Sequence, residues 1–139
     1  MRIEFYAIEK DRFKDKALEL VCVLAQKAFE TQTPALLLVE SAAHAEALDD
    51  LLWSFNDDAF IPHQVAGQDD DDECPVLIVP PEFSPSPRPL CINLRVQPAA
   101  DGAERVIELI PDNEAEKAAA RERWKAYKTR GLEPKKVVV

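Results

Sequence analysis

Ala35-Leu36-Leu37-Leu38-Val39, followed by Glu40-Ser41 and then Ala42-Ala43-His44-Ala45-Glu46-Ala47-Leu48, is the stretch that decides the fold. The five-residue apolar run has no polar face, the mark of a strand buried on both sides in a parallel sheet. Ser41 is placed to cap a helix with its side-chain oxygen. Ala45, Leu48, Leu51, Leu52 and Phe55 then recur at three- and four-residue steps, so residues 42–55 read as a helix with one apolar face.

The same alternation precedes it. Residues 2–8, with Ile3, Phe5, Tyr6 and Ile8, read as a first strand. Residues 10–31 carry Leu18, Val21, Cys22, Ala25, Ala28 and Phe29 at helical spacing, and Thr33-Pro34 ends that helix. Strand, helix, strand, helix implies right-handed crossovers and a parallel sheet with helices on its faces. Val76-Leu77-Ile78-Val79 is a further buried strand, stopped by Pro80-Pro81. Residues 90–94 and 106–110 are two more. The turn at Asp101-Gly102 between them is too short for a helix, so they are expected to pair antiparallel. Asp112 or Asn113 caps a last helix, with Glu114 and Glu116 in its first turn, Lys125, Lys128 and Arg130 near its end, and Gly131 as the residue that closes it. No structure is assigned to residues 132–139. The expected fold is α/β and three-layered: a mostly parallel sheet with helices on both faces, Rossmann-like but lacking the glycine phosphate loop.

The chain's 139 residues are expected to form a single domain. Residues 67–74 read as a mobile acidic loop, because the consecutive carboxylates of Asp69 to Glu73 repel one another. Residues 80–89 hold five prolines and read as a stiff surface loop. The three glycines, Gly67, Gly102 and Gly131, cannot build a phosphate-binding turn, and Glu9-Lys10-Asp11-Arg12 stands where one belongs. No cofactor is expected. Cys22, Cys74 and Cys91 form no pair and lie far in sequence from His44 and His63, so no metal site is expected either. Ser41 and His44 are close in sequence, but Ser41 is used as a cap, and no catalytic residue is assigned. No apolar run approaches the roughly 20 residues a membrane helix needs. The N-terminal residues lack the pattern of a signal peptide, and a cytoplasmic location is expected.

The net charge of −9 is unevenly spread. Residues 1–116 hold 9 Lys and Arg against 24 Asp and Glu, whereas residues 117–139 hold 8 against 2. An acidic body disfavours direct capture of a nucleic-acid backbone, and the basic segment favours an acidic partner.

A second stretch stands out as a surface. Leu51-Leu52-Trp53-Ser54-Phe55 is divided from Phe60-Ile61-Pro62-His63 by an acidic bend at Asn56-Asp57-Asp58. Trp53 lies roughly 200° around the helix from Leu51, off the buried stripe. Trp53, Phe60, Ile61 and Pro62 therefore form a candidate docking patch, aromatics being favoured where proteins meet.

Three segments resemble the chi-subunit family of bacterial DNA polymerase III. They are Leu52-Trp53 with Phe60-Ile61-Pro62-His63, the opening Ile3-Glu4-Phe5-Tyr6, and Ala120-Arg121-Glu122-Arg123-Trp124-Lys125-Ala126-Tyr127-Lys128. The resemblance runs the length of the chain. A position that is commonly tyrosine in the family's late helix is Trp124 here, and the acidic and proline-rich loops are not part of the family pattern. The resemblance implies a non-catalytic accessory subunit of the replicative holoenzyme. It would bridge the psi subunit of the clamp loader to the acidic C-terminal tail of the single-stranded DNA-binding protein, touching DNA only indirectly. It implies psi binding through Trp53, Phe60, Ile61 and Pro62, and a monomer or a heterodimer with psi. Tail binding falls on Arg121, Trp124 and Lys125, and by position on the same helix strip on Tyr127 and Lys128. Two alternatives compete: a small enzyme of the same fold with scattered catalytic residues, and a direct nucleic-acid binder using residues 117–139.

Overall fold

The structure, a computed structural model, describes residues 1–56 and 60–139. In chain order it contains β1 (Arg2–Ala7), α1 (Ala17–Glu30), β2 (Ala35–Leu38), α2 (Ala42–Ser54), β3 (His63–Val65), β4 (Val76–Val79), β5 (Leu90–Asn93), β6 (Arg105–Ile110), α3 (Glu114–Thr129) and β7 (Lys135–Val138). The described strands form one open sheet in the order β3-β4-β2-β5-β6-β1-β7, with every pairing parallel. Helices α1 and α2 pack on one face, sharing a core with Leu37, Ile78, Ile92 and Ile107. Helix α3 covers the other face, against Ile3, Phe5, Cys91 and Val106. The expected three-layer α/β architecture is present.

The caps behave as the sequence indicates. Ser41 Oγ accepts from His44 N at 3.1 Å and Asn113 Oδ1 from Glu116 N at 2.9 Å. Gly131, at φ 84°, closes α3: its N–H reaches Lys128 O at 2.9 Å and that of Leu132 reaches Tyr127 O at 3.1 Å. This double closure satisfies two otherwise orphaned carbonyls. Helix α1 starts later than the periodicity predicts. Asp15 adopts φ 58°, which separates a 3-10 turn at Asp11–Phe13 from the helix proper.

Three elements differ from expectation. Strands β5 and β6 pair parallel, not antiparallel, in the register Leu90↔Arg105. The connecting residues 94–104 cross the sheet without a helix. Extended chain covers about 3.3 Å per residue, so eleven residues span roughly 36 Å, ample to return along a six-residue strand. That crossover packs Ala99 and Ala103 onto the α3 side of the sheet. Second, residues 63–65 form an edge strand beside β4. Third, the segment left unassigned becomes β7, paired with β1 at the opposite edge.

Among the described residues no helix covers β2 and β4 on the α3 side; the proline-rich loop lies there instead. A Cβ on Gly67 would sit 3.0 Å from the Phe83 ring, and one on Gly102 would sit 2.8 Å from Pro87. Both glycines have positive φ, so the two turns let the loop approach the backbone closely. The acidic stretch 67–74 is a hydrogen-bonded turn. Asp71 accepts from Gly67 N at 2.8 Å and Gln68 N at 3.1 Å, and Arg88 Nη2 donates to Asp71 O at 2.7 Å.

Candidate protein-docking surfaces

Helix α3 has two faces. Ala120, Arg123 and Tyr127 are buried beneath it. Arg121 and Lys125 are exposed on the outer face, and Trp124 lies half-buried between the two. The Trp124 ring rests 5.1 Å from that of Phe5. Beside it a groove of about 570 Å³ runs between α3 and the β1–β7 edge of the sheet. Phe5, Ile8 and Trp124 supply its apolar floor, and Lys117, Arg121, Lys125 and Lys136 its cations. Lys125 lies 3.4 Å from Glu122 and Lys136 3.3 Å from Glu9. Among the described residues no carboxylate pairs with Arg121, which leaves its planar fork available to a ligand carboxylate.

The groove thus gathers three of the predicted tail-binding residues, Arg121, Trp124 and Lys125. Lys128 is exposed one turn further on and lies outside the lining. Tyr127 is a correction: it is 0% exposed and cannot face a ligand. Its hydroxyl donates to Glu108 Oε2 at 2.5 Å and accepts from Ala99 N at 2.8 Å. Helical spacing carries it to the inner face, where a phenol fills the gap above the crossover. The sequence reading missed Phe5, Ile8, Lys117 and Lys136 as lining residues. The charge excess after residue 116 was the only signal for the last two.

A buried polar network fastens α3 to the sheet. Arg123 Nε donates to Glu108 Oε1 at 2.8 Å, and Asn93 Nδ2 donates to Glu108 Oε2 at 2.8 Å and to Gln97 O at 2.8 Å. Burial pushes the Glu108 carboxyl above the usual carboxylate range, and the hydrogen bonds from Asn93 and Tyr127 and the Arg123 guanidinium oppose that rise. Burial also raises the Tyr127 phenol, with the Glu108 charge adding to the effect.

The second surface is at the opposite edge. Trp53 is 59% exposed, Phe60 64%, and their ring centroids lie 5.5 Å apart. Pro62 is half-buried beside them. Ile61 is a correction: at 2% exposure it packs in the main core, because the extended backbone after the bend alternates its side chains in and out. Asp57 and Asp58 of the acidic bend lie outside the described residues. The sequence reading missed what seats Trp53. The His63 ring lies 4.9 Å from it, donates from Nδ1 to Ile61 O at 2.6 Å, and brings Nε2 to 3.1 Å from Asp49 Oδ1.

In open parallel sheets ligands bind at the carboxyl ends of the strands. At that end a cavity of about 300 Å³ remains between Glu40, His44, Leu94, Arg95 and Pro111, and part of its rim is braced by the chain's own side chains. Glu40 Oε1 accepts from Val96 N, and Arg95 donates to Val39 O at 2.9 Å and Val79 O at 2.7 Å. After β1, the N–H groups of Glu9 and Lys10 both donate to Val139 O at 2.9 Å, so the amides that a phosphate loop would offer a ligand are already engaged. Among the described residues no group of three or more His, Cys, Asp or Glu is arranged to hold a metal ion, and no helix is long and apolar enough to cross a membrane.

Fold and sites together define an open-sheet α/β domain of Rossmann-like architecture, without a glycine phosphate loop and with two accessible edge surfaces. Solved structures share the fold. A yeast Dbp5 variant bound to Nup159, a Gle1 variant, IP6 and ADP superposes with TM-score 0.64 at 12% identity, over 99% of this chain and 42% of that one. A DEAD box protein from Methanococcus jannaschii gives 0.63 at 15%, over 98% and 42%. This chain spans less than half of either, and the likeness concerns the fold alone.

Relatedness by sequence is more specific. Residues 1–135 match the family described as DNA polymerase III chi subunit, HolC, and the chain belongs to that family. The DNA polymerase III subunit chi of Escherichia coli K12 is 34% identical over 134 residues, covering 92% of this chain and 91% of that protein. The one from Pseudomonas aeruginosa is 33% identical over 132 residues, covering 94% and 91%. The protein is therefore an accessory subunit of the DNA polymerase III assembly in DNA replication.

Proposed function

We propose that the chain is a non-catalytic bridge between two other proteins. The Trp53–Phe60–Pro62 patch takes the psi subunit of the clamp loader, and the α3 groove takes the acidic C-terminal tail of the single-stranded DNA-binding protein. DNA is reached only through the second partner. One observation carries this reading: two chemically different surfaces stand at opposite edges of a single sheet. Strands β3 and β7 are separated by six strand spacings, about 29 Å at roughly 4.8 Å each, so both sites can be filled at once. The β3 edge is aromatic and fits a folded apolar partner. The β7 edge pairs cations with an apolar floor and fits a flexible acidic tail with an apolar end.

A bridging assay tests it. Immobilised psi should retain a labelled acidic tail peptide only when the chain is added. Trp53→Ala should weaken capture at the psi side by roughly 30-fold or more while leaving tail affinity intact. Arg121→Ala should weaken the tail about tenfold or more, since charge-assisted hydrogen bonds contribute about 1.5–3 kcal/mol each, and leave the psi complex unchanged. Salt-sensitive binding of DNA by the purified chain, with no bridging, would refute the proposal.

A further inference from the structure

We propose that β7 is an acceptor strand, onto which the acidic peptide adds as an eighth strand of the sheet. The inference rests on the reading of the α3 groove as a peptide site and specifies how the peptide lies in it. Strand β7 pairs with β1 on one side and is the end of the sheet among the described residues. Val139 N donates to Ala7 O at 2.9 Å, and Val139 O accepts from Glu9 N at 2.9 Å. Backbone groups alternate in direction along a strand, so Val137 and Lys135 also face β1. The N–H and C=O groups of Lys136 and Val138 therefore point outward, to the open edge.

The side chains of the same two residues lie on the groove's face of the sheet, and that of Lys136 lines the groove itself. Lys136 is paired in register with Phe5 and Val138 with Ala7, and Phe5, Ala7 and Lys136 all line it. Val138 is 46% exposed, an apolar side chain continuing the floor from Trp124 and Phe5 out to the edge. Val137-Val138-Val139 is a β-branched run that holds an extended backbone ready for pairing. Lysines on an edge strand normally discourage strand addition. Lys135 and Lys136 do so for a neutral or basic strand, but they attract an acidic one, and Lys117, Arg121 and Lys125 add to that bias across the groove. The edge therefore selects an acidic, extended segment. Main-chain bonds to β7 give it register, and every second side chain falls into the groove.

The test uses a fluorescent peptide of several aspartates followed by apolar residues, with a free terminal carboxylate. On binding, the amides of Lys136 and Val138 should slow in hydrogen exchange, whereas those of Val137 and Val139, already bonded to β1, should change little. N-methylation of successive peptide residues should weaken binding about threefold to tenfold at every second position and not between them. Val138→Pro removes an outward N–H and leaves the β1 ladder whole, a substitution edge strands tolerate. It should weaken the peptide well beyond Val138→Ala, which trims the apolar floor but keeps the outward N–H, and both should keep psi binding as proof of folding. If Arg121→Ala leaves peptide affinity unchanged, the groove reading itself fails. If Arg121→Ala weakens binding but the exchange of Lys136 and Val138 stays unaltered and N-methylation shows no alternation, the groove stands and strand addition is wrong.

Discussion

Replacing Arg123 with methionine removes a guanidinium that is 5% exposed and leaves Glu108, at 0%, without its cation. Methionine is apolar and long enough to fill most of the space, so the pH-dependent part of the effect is electrostatic, beside a pH-independent loss of the bonds to Val96 O and Leu109 O. Breaking a buried ion pair from one side costs about 3–5 kcal/mol, because the remaining charge stays buried. Glu108 keeps donors from Asn93 at 2.8 Å and Tyr127 at 2.5 Å, which places the loss near the lower end, about 3 kcal/mol. Its pH dependence follows from the direction of the shift. Burial raises the folded-state pKa of Glu108, Arg123 counters that rise, and removing Arg123 raises it further. A carboxyl whose folded pKa exceeds its unfolded value favours the fold below the unfolded value, and that contribution is lost as pH rises through the folded one. The deficit of Arg123→Met against wild type should therefore be smallest below the ordinary glutamate value of about 4.3 and grow toward neutral pH. Urea unfolding followed by circular dichroism at a series of pH values measures it, and adding Glu108→Gln should remove the growth. A deficit independent of pH, or one under about 1 kcal/mol, would refute the argument.

Three further outcomes are expected. Trp53→Ala should weaken psi binding by roughly 30-fold or more, the loss of an aromatic anchor costing about 2–4 kcal/mol, yet change unfolding stability little because the ring is mostly exposed; urea melts and co-purification separate the two effects. Tyr127→Phe should lower stability by about 1–3 kcal/mol by leaving Ala99 N without its acceptor, with peptide affinity unchanged since the phenol lies outside the groove. The Asp71 carboxyl is held below the usual range, first by the Gly67 amide, so its contribution is present above the unfolded carboxylate value and lost as pH falls through the folded one; limited proteolysis should cut residues 67–74 faster in acid, and Asp71→Asn should already show part of that sensitivity at neutral pH.

The sequence by itself determined the elements whose cause is local. Continuous apolar runs mark β2 and β4, and Ser41, Asn113 and Gly131 bound the helices they border, because a cap or a periodic face acts within about four residues. The same locality placed Trp53 off the buried stripe and Arg121 and Lys125 on the outer face of α3. What only the tertiary structure decided are relations between distant residues. Strands β5 and β6 run parallel because an extended crossover has the reach that a helix of that length would lack. Residues 135–138 become a strand because β1 offers them an edge, not because four residues carry a period. Ile61 turns inward and Tyr127 disappears beneath α3 because burial depends on what stands opposite. In the case of Tyr127, that is Glu108 and Ala99, which the sequence leaves apart and the sheet brings to one place.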